Sequence, residues 1–283
     1  MVSAAAPQAG VLTPERTAAD AARRMEAISS YERTKPSRAG AGIPLSLLRS
    51  PCHLEVMIPA RNEATRLPHS LAHTLQYLEA QPYSSSLVVI DNGSADDTVG
   101  LVGRIRSKRV AVDVIGCAER GKGSAVRRGI LTSRARFVGY MDADLATPIE
   151  TLDLVLPLLE SGYQAVVGSR HINGAVLAER QPVNRVLGGM VFRAMVRHVL
   201  PGIADTQCGF KFFSGGLAQA VARDLHLGGF AFDIEFLRRV IELGMPVKEV
   251  PVVWSDGDGS TLHLVRDGAR AAMDVLRLAR RGT

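Results

Sequence analysis

Between residues 54 and 170, five short apolar runs alternate with segments of helix length. The runs are "LEVMI" (54–58), "SLVVID" (86–91), "VAVDVIG" (110–116), "RFVGYMD" (136–142) and "AVVGSR" (165–170). Helical stretches pass through "LPHSLAHTLQYLEA" and start again at Ala95, Lys122 and Pro148. Runs this short and rich in β-branched residues read as strands buried on both faces, and strands joined through helices pair in parallel. The expectation is an α/β chain with a mainly parallel sheet flanked by helices. Ligands of such sheets bind beyond the carboxyl ends of the strands.

Every one of those ends is polar: "PARNEA", "DNGSADDT", "GCAERGKGSA", "DADLATP" and "GSR". Local structure accounts for part of this. Ser94, with Asp97 three residues on, reads as a helix N-cap, and Thr147-Pro148-Ile149-Glu150 as a capping box. Asp91, Asp142 and Asp144 are left without a structural role. On an extended backbone residues i and i+2 point to one side, so Asp142 and Asp144 would face a ligand together. Two carboxylates that close repel unless a cation lies beside them. Hard oxygen ligands suit Mg²⁺ or Mn²⁺, and a metal there would neutralise a departing diphosphate. In "GCAERGKG", Gly116 to Lys122 fits the P-loop frame, but Gly123 stands where Ser or Thr would bind Mg²⁺, and "GKGSAV" lacks the last glycine of a dinucleotide fingerprint. What survives is that Gly121 and Gly123 let the backbone approach a ligand, while Lys122 brings a charge to a helix N-terminus.

Length and composition set the outer bounds. The 283 residues suffice for one large domain or two small ones. No apolar run approaches the roughly 20 residues that span a bilayer. "MVSAAAPQAG" has neither the basic start nor the apolar core of a signal peptide, and Cys52, Cys117 and Cys208 lack disulfide or zinc spacing, so a reducing cytosol is expected. The net charge is +6. With only 5% aromatic residues, nucleic acid is not the expected partner. Phosphorylated ligands, an anionic membrane surface or plain solvation account for the charge equally well. Residues 1–50 read as a helical and flexible appendage, with Thr13 as N-cap and Pro14 in the first turn. Residues 51–260 form the α/β unit, and 261–283 a basic amphipathic helix. In that helix Leu262, Val265, Ala269, Met273 and Leu276 share a stripe, with Arg266, Arg270, Arg277, Arg280 and Arg281 largely elsewhere. Such a helix either lies peripherally on a membrane or packs on its own domain. The oligomeric state is not legible.

The ordered set "IPARNEA", "VVIDNGSADDT", "GKGSAVRRGI", "DADLATP", "GSR", "DTQCGFKFF", "AFDIEFL" and "EVPVVW" resembles family 2 glycosyltransferases of the GT-A fold, over about residues 52–260. The nearest members by these motifs are dolichyl- or polyprenyl-phosphate glucosyltransferases and mannosyltransferases, and "DTQCGFKFF" followed by "FAFDIEFL" leans to the glucosyl branch. The resemblance implies an inverting, metal-dependent transfer from a UDP-sugar to a polyprenyl phosphate. UDP-glucose is the first candidate donor and UDP-N-acetylglucosamine the second. A hydroxyl of a small soluble metabolite is the alternative acceptor. A nucleotide-binding module without catalysis, or a nucleoside-triphosphate hydrolase built on "GCAERGKG", is a third reading. By resemblance, Pro59, Ala60, Arg61 and Glu63 hold the base and ribose, as does Asp91, while Gly121 and Lys122 close over the nucleotide. Asp142 and Asp144 grip Mg²⁺ or Mn²⁺ on the diphosphate, with Ala146 where mannosyl relatives often have a further Gln ligand. Arg170 and Arg185 match basic residues near the acceptor phosphate. Asp205, Gln207, Asp233 and Glu235 fall in the acceptor half, with Asp233 the candidate general base for a hydroxyl acceptor. Structural hydrogen bonding is the competing role for Gln207 and Glu235.

Overall fold

Val56, Met57 and Ile58 are fully buried on an interior strand of a seven-stranded sheet. A computed structural model describes residues 50–178, 183–255 and 264–280; the appendage expected before residue 50, with Thr13 and Pro14, lies outside them. The strands are β1 (Leu54–Ala60), β2 (Ser85–Asp91), β3 (Val110–Gly116), β4 (Phe137–Met141) and β5 (Ala165–Ser169), then β6 (Val176–Leu177), β7 (Phe210–Ser214), β8 (Val247–Pro251) and β9 (Val253–Trp254). Helices α1 (Leu67–Ala80), α2 (Thr98–Arg104), α3 (Lys122–Thr132) and α4 (Leu152–Glu160) connect the early strands. They are followed by α5 (Val183–Val199), α6 (Gly215–Arg223), α7 (Phe232–Glu242) and α8 (Leu264–Arg280).

The sheet order is β3-β2-β1-β4-β7-β5-β8, with β6 and β9 as a separate parallel pair. β1 pairs in parallel with β2 and β4, β2 with β3, and β5 with β8. Only β7 runs antiparallel, between β4 and β5. Alternate residues feed two cores, as the strand period of two requires. Met57, Val88, Tyr140 and Phe213 pack on one face with residues of α3, α6 and α7. Val56, Ile58, Leu87, Met141 and Phe212 pack on the other with α1 and α4. The carboxyl ends of β1 to β4 therefore open along one edge, with the amino end of β7 among them.

Two local expectations are corrected. Helix α2 begins at Thr98, not Ala95, and Ser94 caps nothing: its hydroxyl accepts the N–H of Asn62 at 2.9 Å. The stretch from Pro148 opens with a 3₁₀ turn over Ile149–Thr151 and makes no side-chain cap. Glu150 instead meets His73 at 2.8 Å. In α8 the inward stripe is Ala271, Val275 and Leu278, and Arg238 donates to the Leu278 carbonyl at 2.6 Å. This helix packs on its own domain, but through the face roughly opposite the expected stripe. Met273 and Leu276 point outward, Leu262 lies outside the described residues, and so do the side chains of Val265 and Ala269. Among the described residues no helix is long and apolar enough to cross a membrane.

Candidate active site

The loop after β1 is built by exchange with the loop after β2. Pro59 and Ala60 close β1, Arg61 is exposed, and Asn62 adopts a positive φ of 55°. Asn62 Oδ1 accepts the Ala95 N–H at 2.7 Å. Buried Glu63 takes a bidentate contact from Arg66, at 2.7 and 2.8 Å. Burial pushes the Glu63 carboxyl up, against the pull of Arg66. Asp91, at the end of β2, accepts the N–H groups of Gly93 and Ser94, both at 3.2 Å. Its neighbour Asn92 was not singled out in the sequence, yet it fastens the loop after β3: Oδ1 accepts from Gly121 N–H and Nδ2 donates to the Glu119 carbonyl, each at 2.7 Å.

Gly121 and Gly123 meet the chain itself rather than a ligand. Gly121 has φ +126°, and a Cβ there would sit 2.0 Å from the Gly228 carbonyl oxygen. The Gly123 N–H donates to that same oxygen at 2.9 Å. Glu235 fixes the opposing loop by accepting the N–H groups of His226 and Leu227, at 3.0 and 2.8 Å. The structural role expected as one reading of Glu235 is what its contacts show.

Lys122 starts α3 and reaches Asp142, Nζ to Oδ1 at 2.6 Å. Burial opposes its charge, but Asp142 and then Asp233 outweigh burial and hold the ammonium above the usual lysine range. Asp142 lies one residue past β4, and Ala143 and Asp144 form a turn that continues into Leu145 at φ 54°. The same-side argument from an extended backbone thus fails, and a turn brings the carboxylates together instead. Burial raises the Asp144 carboxyl pKa, and the charge on Asp142 raises it further. Gly209 lies against Asp142: a Cβ there would fall 1.8 Å from Asp142 Oδ2, so a larger residue would push that carboxylate from its place. Among the described residues no cluster of three or more His, Cys, Asp or Glu is placed to hold a metal. Two mutually repelling hard carboxylates, with a lysine ammonium already drawn to one, fit Mg²⁺ or Mn²⁺ completed by water and phosphate oxygens.

Beneath this pair lies a buried ionic layer that sequence reading missed in part. Lys211, fully buried in β7, pairs with Asp233 Oδ1 at 2.6 Å and donates to the Cys208 carbonyl at 2.5 Å. The Tyr140 hydroxyl donates to the same Asp233 oxygen. Burial, then the charge on Asp233, pushes the Tyr140 phenol well up. Both ammonium groups lie near its ring, Lys122 at 5.9 Å and Lys211 at 5.6 Å from the centroid. The available signal was a lysine inside "FKFF", a charge at a core strand position.

Beyond β5, among the residues expected in the acceptor half, Arg170 commits Nε and Nη2 to Asp205, at 2.7 Å and 3.0 Å from the carboxylate oxygens. Burial opposes the Asp205 charge, but Arg170 holds the carboxyl well below the usual range. The N–H groups of Arg170, Gln207 and Cys208 complete the hub, and Glu249 accepts those of Ala204 and Asp205. Gln207 Nε2 reaches only the Thr206 carbonyl, at 3.3 Å. Arg185 lies in α5, its side chain outside the described residues.

Residues 55–217 match Glycosyl transferase family 2. The chain belongs to that family. Like its relatives it is a glycosyltransferase, which sets aside the hydrolase and non-catalytic readings. It is 33% identical over 240 residues to the dolichyl-phosphate beta-glucosyltransferase of Dictyostelium discoideum, covering 80% of this chain and 73% of the relative. To the Homo sapiens dolichyl-phosphate beta-glucosyltransferase it is 33% identical over 226 residues, 74% of this chain and 69% of that one. Among solved structures it is similar to glucosyl-3-phosphoglycerate synthase from Mycobacterium tuberculosis in complex with Mn²⁺ and UDP-glucose. There the TM-score is 0.61 at 21% identity, covering 81% of this chain and 79% of that chain. The family 2 domain here accordingly has the GT-A fold.

Proposed function

We propose that this glycosyltransferase moves glucose from UDP-glucose to a polyprenyl phosphate, with a divalent metal held by Asp142 and Asp144. The observation that carries the reading is the carboxylate pair beyond β4, with the Lys122 ammonium on one member. Identity above 30% to dolichyl-phosphate beta-glucosyltransferases supports the sugar and the acceptor class, and the Mn²⁺ and UDP-glucose complex of a GT-A neighbour supports donor and metal by analogy.

The chain's own residues have separable tasks in this proposal. Asp142 and Asp144 hold the ion, which when bound offsets charge growing on the leaving diphosphate. Lys122 then turns its ammonium to the diphosphate, at the N-terminus of α3 where anions are favoured. Asn92 keeps the 119–121 loop in register for this. Pro59, Ala60, Arg61, Glu63 and Asp91, at and just beyond the ends of β1 and β2, are assigned to the base and ribose, with Glu63 acting through Arg66. A phosphate oxygen of the acceptor attacks the anomeric carbon, the bond to the UDP oxygen breaks, and the configuration inverts. No proton need be removed from that nucleophile.

Asp233 bears on the alternative. A hydroxyl acceptor requires a general base within reach of solvent-accessible substrate. Asp233 is 2% exposed and engaged by Lys211 and Tyr140, so it supports the ionic layer rather than proton abstraction. We therefore favour the phosphate acceptor. The test is incubation with Mn²⁺, UDP-[¹⁴C]glucose and a short-chain polyprenyl phosphate, followed by organic extraction. The expected result is label in the organic phase, released by mild acid. Label only in neutral, water-soluble product would overturn the reading.

A further inference from the structure

Because Arg170 is bound to Asp205 on two of its nitrogens, the acceptor phosphate needs other donors. His171 follows Arg170 directly beyond the carboxyl end of β5 and is exposed. Arg193, from α5, brings Nη1 to 3.1 Å from His171 Nε2. Among the described residues no carboxylate lies within ion-pair distance of Arg193. An imidazole lone pair is a weak partner for a guanidinium, whose fork matches the oxygens of carboxylate or phosphate.

The surroundings of His171 are mixed. Although the residue is exposed overall, partial desolvation of the ring lowers its pKa most; Arg193 and Arg170 lower it too, against Asp205 and Glu249, which raise it. The ring is therefore neutral near pH 7 and accepts from Arg193. His171 also lies two residues past β5, beyond the same edge of the sheet as Asp142 past β4, since both strands run antiparallel to β7. Arg197 lies one helical turn beyond Arg193, exposed.

We propose that His171 and Arg193 form the seat of the acceptor's phosphomonoester group, a site distinct from the Arg170–Asp205 clamp that supports it. This rests on the phosphate-acceptor reading above. When the dianion enters, the guanidinium leaves the imidazole lone pair for phosphate oxygens, and His171 takes up one proton from solvent. Two positive charges then face two negative ones, where the free protein has one.

The experiment follows the His171 ring protons by NMR through a pH titration, with the resonance assigned by its loss in His171→Asn. Inorganic phosphate is the first probe and a short-chain polyprenyl phosphate in neutral micelles the second. The expected result is a rise in the His171 pKa of about one unit with saturating probe, as an anion beside the ring requires. Arg193→Gln should weaken phosphate binding by about tenfold or more, the loss of a charge-assisted fork. A shift with both probes supports the seat for a lipid headgroup. A shift with inorganic phosphate alone supports the seat and overturns the lipid acceptor. A His171 that neither probe moves overturns the seat, and transfer to polyprenyl phosphate with an unchanged KM in Arg193→Gln does so while leaving the proposed function standing.

Discussion

Asp142→Asn and Asp144→Asn variants are expected to lose sugar transfer by on the order of 10³-fold, the scale of removing one charge-stabilising group from a transition state. Each change deletes a negative charge while keeping shape. Asp142 is 38% exposed at its side chain, and its one strong partner is Lys122 at 2.6 Å. Thermal stability should therefore hold or rise slightly in Asp144→Asn, because the charge that burial and Asp142 disfavour is gone. Initial rates with and without excess EDTA provide the check. Wild-type activity that survives EDTA, or a variant within tenfold of wild type, would contradict the role given to the pair.

Lys211→Met is expected to destabilise the fold by about 3–5 kcal/mol, the cost of leaving a buried charge without its partner. Methionine fills the space of the lysine stem, so the loss comes from electrostatics and not from a cavity. Asp233 would remain 2% exposed with only the Tyr140 hydroxyl to satisfy it. Asp233→Asn should cost a similar amount, since the Lys211 ammonium would keep only the Cys208 carbonyl. Combining the two changes should cost less than the sum, because neither charge is then stranded. Urea unfolding of the four proteins measures this directly. A loss under about 1 kcal/mol in Lys211→Met would show that the ion pair is worth no more than an exposed one.

Much of the sheet is legible in the sequence because parallel strands covered on both faces must be apolar throughout. "LEVMI" and "SLVVID" therefore fall on β1 and β2 within two residues at either end, while "VAVDVIG" matches β3 through its β-branched residues, although that edge strand is only partly covered. β7 escapes the same reading. "GFKFFS" carries a lysine in its centre, and the Asp233 that neutralises it arrives only in α7. The strand-end motifs mark where the site lies, while their contacts depend on partners from distant loops. Gly121 shows the difference: the need for glycine is readable, but Gly228 as its neighbour is not. Arg170 shows it again, since a basic residue at a strand end reads as a ligand group until Asp205 is seen to occupy it. Ser94 and the Thr147–Glu150 stretch satisfied capping patterns whose hydrogen bonds the fold spends elsewhere.

The central claim is that Asp142 and Asp144 hold a metal on the diphosphate of a uridine donor, and calorimetry tests it most directly. UDP titrated into the wild-type chain with saturating Mn²⁺ should bind with clear heat. That binding should weaken by more than tenfold in EDTA and equally in Asp142→Asn, and GDP should bind markedly less well than UDP. Equal affinity for UDP with and without Mn²⁺, or a preference for GDP, would contradict the account.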